Sequence, residues 1–353
     1  SPVLSLETYV EGAFNSLESK TSLVQNGVRF KLPAANVRVE EKRVEASAQA
    51  TLRATPTLTA ELQVREEVST ISSSGDVALE KSLSFTKPRF SLIWSPDPAD
   101  QFRFRLEREV SQLNFDDFTS SSQLVNTGAL LAGNPDLSPQ QAWVVEVAAE
   151  RRFWTSGAAI LTVRHYQLTD VIDRAPIIVA GAATADAPGN IGDGTKDELT
   201  ASLAIPLDRF GLGAAQLKGQ STWRRSEVTD PATGRKREIS ILHPVDWEAH
   251  FTQDLPSLKG NWGVDVTGSW RERAFRLSEI ETKKIGTWIV VFIETKPMPN
   301  LILRAELQNA GQRDAKRIRE VYAGSRALNS LTYTDDRDLH YGQMLLLRVR
   351  KIL

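Results

Sequence analysis

The sequence predicts an all-β protein, an antiparallel transmembrane β-barrel of about fourteen strands that occupies residues 1–353 as one domain. Three observations predict this fold class. Apolar residues recur at every second position, short and long connections alternate, and the tryptophans lie near the ends of the alternating segments. A strand with lipid on one side and a wet interior on the other produces the first pattern, and the two ends of a barrel produce the others.

The segment 101–154 shows the alternation of apolar and charged residues most clearly. Phe102, Phe104 and Leu106 alternate with arginine and glutamate, and the alternation resumes at Trp143 after a long polar stretch. Because successive side chains of a strand point to opposite faces, each run has one apolar and one charged face. Further apolar faces are Val44/Ala46/Ala48/Ala50/Leu52, Leu58/Ala60/Leu62/Val64, Phe90/Leu92/Trp94, Val245/Trp247/Ala249/Phe251, Trp262/Val264/Val266/Gly268/Trp270 and Leu301/Leu303/Ala305/Leu307.

The connections between these segments alternate in length. Short turns lie near 55–57, 95–100, 155–157, 210–213, 255–260 and 296–300, and long polar segments lie near 20–36, 66–84, 110–140, 167–196, 225–243, 271–286 and 309–335. A soluble sandwich mixes loop lengths, and structureless loops this long are uncommon in compact domains. Outer-membrane barrels have short periplasmic turns and longer extracellular loops, which is the order predicted here.

The eight tryptophans are a second, independent indication. Trp94, Trp154 and Trp262 adjoin short turns. The others lie where a predicted strand meets a long segment: Trp143, Trp223, Trp247, Trp270 and Trp288. Because the amphipathic indole prefers the headgroup level of a bilayer, we predict that these residues form two aromatic girdles at the membrane interfaces.

Composition excludes several other classes of protein. The 43 basic and 44 acidic residues nearly cancel, which implies no charge-driven partner such as nucleic acid. The absence of cysteine excludes disulfides and thiolate metal sites. The longest purely apolar run, Trp288–Ile293, is too short for a spanning helix of about 20 residues. Since Ser1 is not followed by a signal peptide, we expect either a removed signal or a start within a longer protein.

We expect no enzymatic activity, no metal site and no cofactor. None of the four histidines has metal-ligand spacing, and no Gly-x-Ser-x-Gly motif occurs. His250 with Asp246, on one face of a predicted strand, is the nearest arrangement to an oriented base. We interpret His250 as one more polar residue of the barrel interior.

Three segments resemble TonB-dependent outer-membrane receptors. The run Asn134–Pro139, followed by Trp143–Val147, resembles the Asn-Pro-Asp-Leu-x-Pro-Glu stretch that precedes a barrel strand in that family. The run Leu303–Asn309 resembles its penultimate strand, although Ala310 and Gly311 follow where the family has a Glu-Asn-Leu-Phe-Asp ending.

The last segment resembles the family's C-terminal strand, which the barrel-assembly machinery reads. Its predicted assembly residues are Tyr341, Leu345, Leu347, Val349 and Leu353. The family strand usually ends in Phe, whereas Leu353 ends this one, on the same predicted face. An open strand edge in lipid is costly, so we expect this strand to pair either with 4–14 in a closed fourteen-stranded barrel or with a strand outside the chain.

The resemblance implies an outer-membrane receptor that takes up a scarce ligand, such as a chelated metal or a glycan. Family members have a plug domain and a barrel of 22 strands, so this chain is expected to be the C-terminal part of such a barrel. TonB would then act only through a plug that this chain lacks. A plug-less passive channel or structural barrel is the alternative, and a secreted soluble β-protein is a third hypothesis.

Two sets of polar residues are candidate functional positions. Oxygen ligands at the density found in the run 181–197 can bind Ca²⁺, but the spacing does not match an EF-hand, and we interpret the run as a solvated surface loop. The resemblance makes its polar residues candidate ligand contacts: Asp186, Asn190, Asp193 and Asp197. A second set of charges is predicted to line the lumen: Arg103, Arg105, Glu107, Glu109, Glu146, Glu150 and Arg152.

Overall fold

The computed structural model describes residues 3–25, 27–30, 35–76, 78–118, 133–134, 136–178 and 184–351, and these residues are almost entirely β-structure. The strands are β1 (Leu4–Lys20), β2 (Leu23–Gln25), β3 (Val28–Phe30), β4 (Asn36–Thr55), β5 (Leu58–Gly75), β6 (Leu79–Trp94), β7 (Asp100–Val110), β8 (Gln141–Phe153), β9 (Gly157–Thr169), β10 (Ile172–Ile178), β11 (Thr184–Asn190), β12 (Gly194–Pro206), β13 (Ala215–Thr229), β14 (Lys236–Arg237), β15 (Val245–Leu255), β16 (Gly260–Thr267), β17 (Trp270–Phe275), β18 (Glu279–Ile285), β19 (Trp288–Met298), β20 (Leu301–Gln308), β21 (Asp314–Tyr322), β22 (Leu331–His340) and β23 (Met344–Lys351). Short 3-10 helices span Phe115–Phe118, Asp208–Phe210, Pro256–Leu258 and Arg326–Leu328. No helix in the described ranges is long and apolar enough to cross a membrane.

Fourteen of these strands form one antiparallel sheet, which confirms the predicted fold class and strand number. Their order is β1-β4-β5-β6-β7-β8-β9-β12-β13-β15-β16-β19-β20-β23, and the short β14 pairs with β13. Each strand therefore pairs with its neighbours along the chain once the short strands of the connections are set aside. Within the described residues, β1 and β23 are the two edges of the sheet, and no pairing joins them.

The two faces of the sheet show the reverse of the burial found in a water-soluble protein. The apolar face is the open one: Val147 of β8 is 52% exposed and Val163 of β9 is 51% exposed. The charged face is sheltered, and Glu107 of β7 is only 4% exposed. Since burying apolar area drives folding in water, a sheet of this size with its apolar face open requires an apolar surrounding.

Two small apolar clusters lie where the charged face meets the long connections. The first consists of Val37, Val39, Ile71, Phe118 and Leu137, and the second of Ala142, Val144, Leu168, Val171 and Val228. Phe118 and Leu137 belong to the connection between β7 and β8 and are almost fully buried. The described parts of that connection therefore fold over the charged face of the sheet and are held there by hydrophobic contacts.

Most of the long polar segments contain further β-structure. β17, β18, β21 and β22 form a four-stranded antiparallel sheet, called the loop sheet below, and β10 pairs with β11. These strands carry polar residues on both faces, so no alternation of apolar and polar residues reveals them in the sequence. The chain thus forms a fourteen-stranded sheet with a folded layer of connections at one end.

The expectation of a long loop at 66–84 is wrong. β5 continues to Gly75 and β6 begins at Leu79, so the connection between them is short. The carboxylate of Glu66 accepts hydrogen bonds from the hydroxyls of Ser84 (2.9 Å) and Thr86 (2.6 Å) on the neighbouring strand. The strands continue beyond the apolar face, where polar residues occupy both sides and the period-two signal disappears.

Candidate functional site

The seven charged residues predicted to face the interior lie along β7 and β8, and each of them forms an ion pair with another member of the set. Arg105 contacts Glu107 at 2.8 Å, Glu146 at 3.1 Å and Glu109 at 3.8 Å. On the same face Glu150 lies 2.9 Å from Arg152 and 4.0 Å from Arg103. The pairs alternate in sign across the strands, so each charge is compensated although water is largely excluded from several of them.

These ion pairs are part of a longer belt across the charged face. Glu146 also pairs with Arg164 of β9, and Glu198 of β12 lies 3.6 Å from Arg164 and 3.2 Å from Arg224. The belt runs through Arg65, Glu107, Arg105, Glu146, Arg164, Glu198, Arg224 and Asp246. A belt of paired charges makes the charged face of the sheet polar without a net excess of either sign.

Residues of the Asn-Pro-Asp-Leu motif connect the β7–β8 connection to β6 and β11. The Asn134 amide donates to the carbonyl of Pro188 (3.0 Å) and its oxygen accepts from the backbone N–H of Asp136 (3.0 Å). Lys81 of β6 pairs with Asp136, and Leu137 enters the first apolar cluster. The motif therefore has a structural role, which is to hold this connection against β6 and the β10–β11 hairpin.

The structure does not bring the four predicted ligand contacts together. Asn190 is occupied by backbone groups: its oxygen accepts from Ser138 N–H, and its amide donates to the carbonyls of Ser138 and Asp170, each at 2.9 Å. Asp193 is exposed in the turn before β12. Asp197 lies on β12 and contacts His165 at 2.6 Å. In the described ranges no cluster of three or more His, Asp or Glu could hold a metal ion.

Asp186 differs from a solvated loop residue, so the interpretation of 181–197 as a solvated loop is wrong at this position. Asp186 belongs to β11 and is 2% exposed. Its Oδ1 accepts a hydrogen bond from the backbone N–H of Leu277 (2.7 Å), and its Oδ2 has no partner in the described part of the chain. Burial raises the pKa of Asp186, although the Leu277 N–H and nearby Arg276, Arg174 and Arg326 oppose the shift.

The loop sheet and the connections beside it contain buried ion pairs that the sequence analysis missed. Arg319 of β21 and Glu279 of β18 are each 1% exposed and lie 2.7 Å apart, and Arg276 approaches Glu279 at 2.5 Å. Arg326 makes a bidentate contact with Asp230, at 2.6 and 3.0 Å. The partners are 40 and 96 positions apart in sequence, so no spacing pattern indicates them.

Most of the tryptophans occupy the ends of strands, and the girdles remain a prediction. Trp94 ends β6, Trp154 follows β8 and Trp288 begins β19. Trp143, Trp247 and Trp262 are each the third residue of a strand. Trp223 lies inside β13, opposite the first residue of β15.

Trp270 does not continue the strand that was assigned to it. β16 ends at Thr267, and Trp270 opens β17 of the loop sheet, where it stacks on the ring of His243 at 4.2 Å. Gly268, between β16 and β17, allows the indole ring of Trp247 to lie against the backbone. A Cβ at this position would lie 2.3 Å from the indole nitrogen of Trp247.

The last strand is shorter than the segment 341–353. Among the described residues it pairs with β20 and not with 4–14, so its expected second partner stays a prediction. β23 spans Met344–Lys351 and pairs with β20, with Leu303 opposite Val349 and Ala305 opposite Leu347. Leu345, Leu347 and Val349 are exposed on its apolar face. Tyr341 lies before β23, where its carbonyl accepts a hydrogen bond from the buried Asn309 (2.7 Å), and Leu353 lies outside the described residues.

Comparison with protein families gives a match over most of the chain. The β-barrel of TonB dependent receptor-like proteins matches residues 7–274. No curated protein sequence matches the chain.

Solved structures of larger proteins have a similar fold. The ferric-catecholate import receptor Fiu from K12 E. coli has a TM-score of 0.66 and 10% identity, over 99% of this chain and 52% of that chain. The FrpB iron transporter from Neisseria meningitidis (F5-1 variant) has a TM-score of 0.67 and 12% identity, over 99% and 53%. The siderophore receptor PirA from Acinetobacter baumannii has a TM-score of 0.61 and 15% identity, over 98% and 52%. The chain spans about half the length of these structures.

Proposed function

Because this chain belongs to the family of TonB-dependent receptor-like β-barrels, we propose that it forms part of an outer-membrane receptor for a scarce ligand such as a chelated metal. The single observation that carries the proposal is the reversed burial of the fourteen-stranded sheet. Apolar side chains such as Val147 and Val163 stand open while charged ones are sheltered. This arrangement is stable where lipid covers the apolar face, and an antiparallel barrel is the β-structure that satisfies its backbone in lipid.

The orientation follows from the lengths of the connections. The folded connections, with the loop sheet and the β10–β11 hairpin, lie at one end of the sheet, and we place this end outside the cell. The short turns, such as those after β6 and β8, then lie in the periplasm. In this orientation the loop sheet meets ligands first, and the belt of ion pairs lines the interior through which a ligand would pass.

The proposal includes three partners and no enzymatic step. Outer-membrane lipid would cover the apolar face, and the barrel-assembly machinery would read β23 during insertion. TonB would act through a plug domain outside residues 1–353. Related proteins support a chelated metal as cargo, since the solved structures with a similar fold include siderophore receptors, an iron transporter and a copper transporter.

Uptake measured in cells tests the proposed function. The complete protein is produced in a Gram-negative host without other siderophore receptors, in strains with and without TonB, and radioactive ⁵⁵Fe and ⁶⁴Cu are offered as a panel of chelates. We expect at least one chelate to accumulate only when both the protein and TonB are present. Accumulation that is independent of TonB, together with ion conductance of the purified protein in lipid bilayers, would instead support a passive channel.

A further inference from the structure

A cavity of about 490 Å³ lies in the layer of folded connections, between the β13–β14 turn, the loop sheet and the 3-10 helix Arg326–Leu328. Its wall is strongly basic. Six cationic residues line it: Arg235, Lys236, Arg237, Arg271, Arg273 and Arg326. Only two carboxylates line it, those of Asp230 and Glu238. Behind the wall, Asp173 contacts Arg237 and Glu227 contacts Lys236, so cations remain in excess when these are included.

The carboxylates of the cavity wall form ion pairs that fix neighbouring segments, but they are too few to neutralise all the cationic groups. Asp230 is engaged by Arg326, and its Oδ1 also accepts a hydrogen bond from the backbone N–H of Ala232 (3.0 Å), which fixes the turn that carries the basic residues. Gly234 allows this turn because its φ is +70°. Glu238 is shared by Arg271 at 3.2 Å and Arg273 at 3.5 Å, so one negative charge faces two positive ones.

Two arginines have unused hydrogen-bonding capacity. Arg237 has a side chain that is 6% exposed, and its Nη2 and Nε have no hydrogen-bond acceptor in the described ranges. Its Nη1 donates to Asp173 at 2.8 Å and to the carbonyl of Glu238 at 2.9 Å, and its Nε lies 3.7 Å from Asp230 Oδ2. Arg235 is exposed and has no ion-pair partner among the residues that the structure describes. Because the unpaired N–H groups of Arg237 have almost no accessible surface, the hydrogen-bonding capacity that a ligand in the cavity can reach is that of Arg235.

An aromatic ring organises the arginines and gives the cavity an apolar side. The guanidinium carbons of Arg237, Arg273 and Arg326 lie 4.6, 4.9 and 5.8 Å from the ring centre of Phe275. Phe275 is buried, and Ile280 completes this side of the wall. The guanidiniums around the ring can present their N–H edges to a planar or tetrahedral oxyanion, which they bind in a bidentate manner.

We propose that this cavity binds an anionic ligand that carries a carboxylate or phosphate group on an apolar body. Arg235 supplies the hydrogen bonds to the oxyanion, the other cations of the wall add electrostatic attraction, and Phe275 with Ile280 contacts the apolar part. The inference rests on the proposed function only for the orientation of the cavity towards the outside of the cell. Binding to the purified protein is independent of transport.

Calorimetric titration of the complete protein, purified in a non-ionic detergent at low salt, tests the anion site. The probes are benzoate, its neutral isostere benzamide, and phenyl phosphate, so that carboxylate and phosphate ligands are distinguished. We expect benzoate or phenyl phosphate to bind and benzamide not to bind. Arg235→Gln should weaken binding about tenfold, because one charge-assisted hydrogen bond is lost from a position with no structural partner.

The matched control is Arg225→Gln, since Arg225 is an exposed arginine of β13 outside the cavity. We expect this variant to bind the anion as the unmodified protein does. The proposal is overturned if neither anion binds at millimolar concentration, if benzamide binds as well as benzoate, or if both arginine variants weaken binding equally. Failure of binding with intact TonB-dependent uptake would overturn this inference and leave the proposed function standing.

Discussion

Replacing Val163 by arginine is expected to lower the free energy of unfolding in lipid by about 2–4 kcal/mol, the cost of a cation on the lipid face near mid-membrane. Val163 lies at the centre of β9, opposite Val147 on β8 and Leu199 on β12. All three apolar side chains are exposed. The value is measured by denaturant titration of the complete protein in phospholipid vesicles, followed by tryptophan fluorescence.

The control places the same charge on the charged face. Gln220 of β13 lies directly opposite Glu248 of β15, so Gln220→Arg introduces a cation beside a carboxylate. We expect little change in stability, because the new side chain enters a polar environment with a partner of opposite sign. Equal destabilisation by the two arginines would contradict the assignment of lipid to the apolar face.

Replacing Arg319 by leucine is expected to destabilise the loop sheet by about 3 kcal/mol, at the lower end of the range for breaking a buried ion pair. The variant leaves Glu279 buried with one cationic partner, Arg276. Since the loop sheet can open without the main sheet, the effect is measured as faster amide hydrogen exchange in β18 and β21.

Two further variants distinguish the effect of a buried carboxylate that has lost an ion-pair partner from the effect of lost side-chain packing. The double variant Arg319→Leu with Glu279→Leu should recover part of the protection, because the buried carboxylate is removed together with Arg319, and Arg276 keeps a second carboxylate, Glu281, at 3.9 Å. Arg337→Leu removes an exposed arginine that contacts Asp335 at 2.9 Å, and exchange in the loop sheet should be unchanged. Faster exchange in the double variant than in the single one would contradict the interpretation that Glu279 without Arg319 destabilises the loop sheet.

The main sheet was predictable because lipid on one face and water on the other impose a pattern on every strand. Phe102, Phe104 and Leu106 alternate with charges that the structure places in ion pairs with β8. In the main sheet each long strand pairs with the next long strand in the chain. The same argument fails at β5 and β6, whose outer ends are polar on both faces.

The layer of folded connections could not be predicted in this way. Arg319 and Glu279 meet through the pairing of β18 with β21, and Arg326 reaches Asp230 across 96 positions. Such contacts depend on how several connections pack together, and no local periodicity encodes them. One local signal of the basic cavity was present in the sequence, the basic run Arg235-Lys236-Arg237 after Gly234. The nearly neutral charge of the whole chain gives no indication of it.

The most direct test of the central claim is an accessibility scan along β9 in lipid vesicles. The chain has no cysteine, so a single cysteine at each position from 158 to 166 can carry a nitroxide label without background. Oxygen concentrates in lipid, whereas a nickel chelate remains in water. We predict that oxygen accessibility peaks at positions 159, 161 and 163 and falls at 160, 162 and 164. Preferential access of the nickel chelate to positions 161 and 163 would contradict a membrane-spanning sheet with its apolar face in lipid.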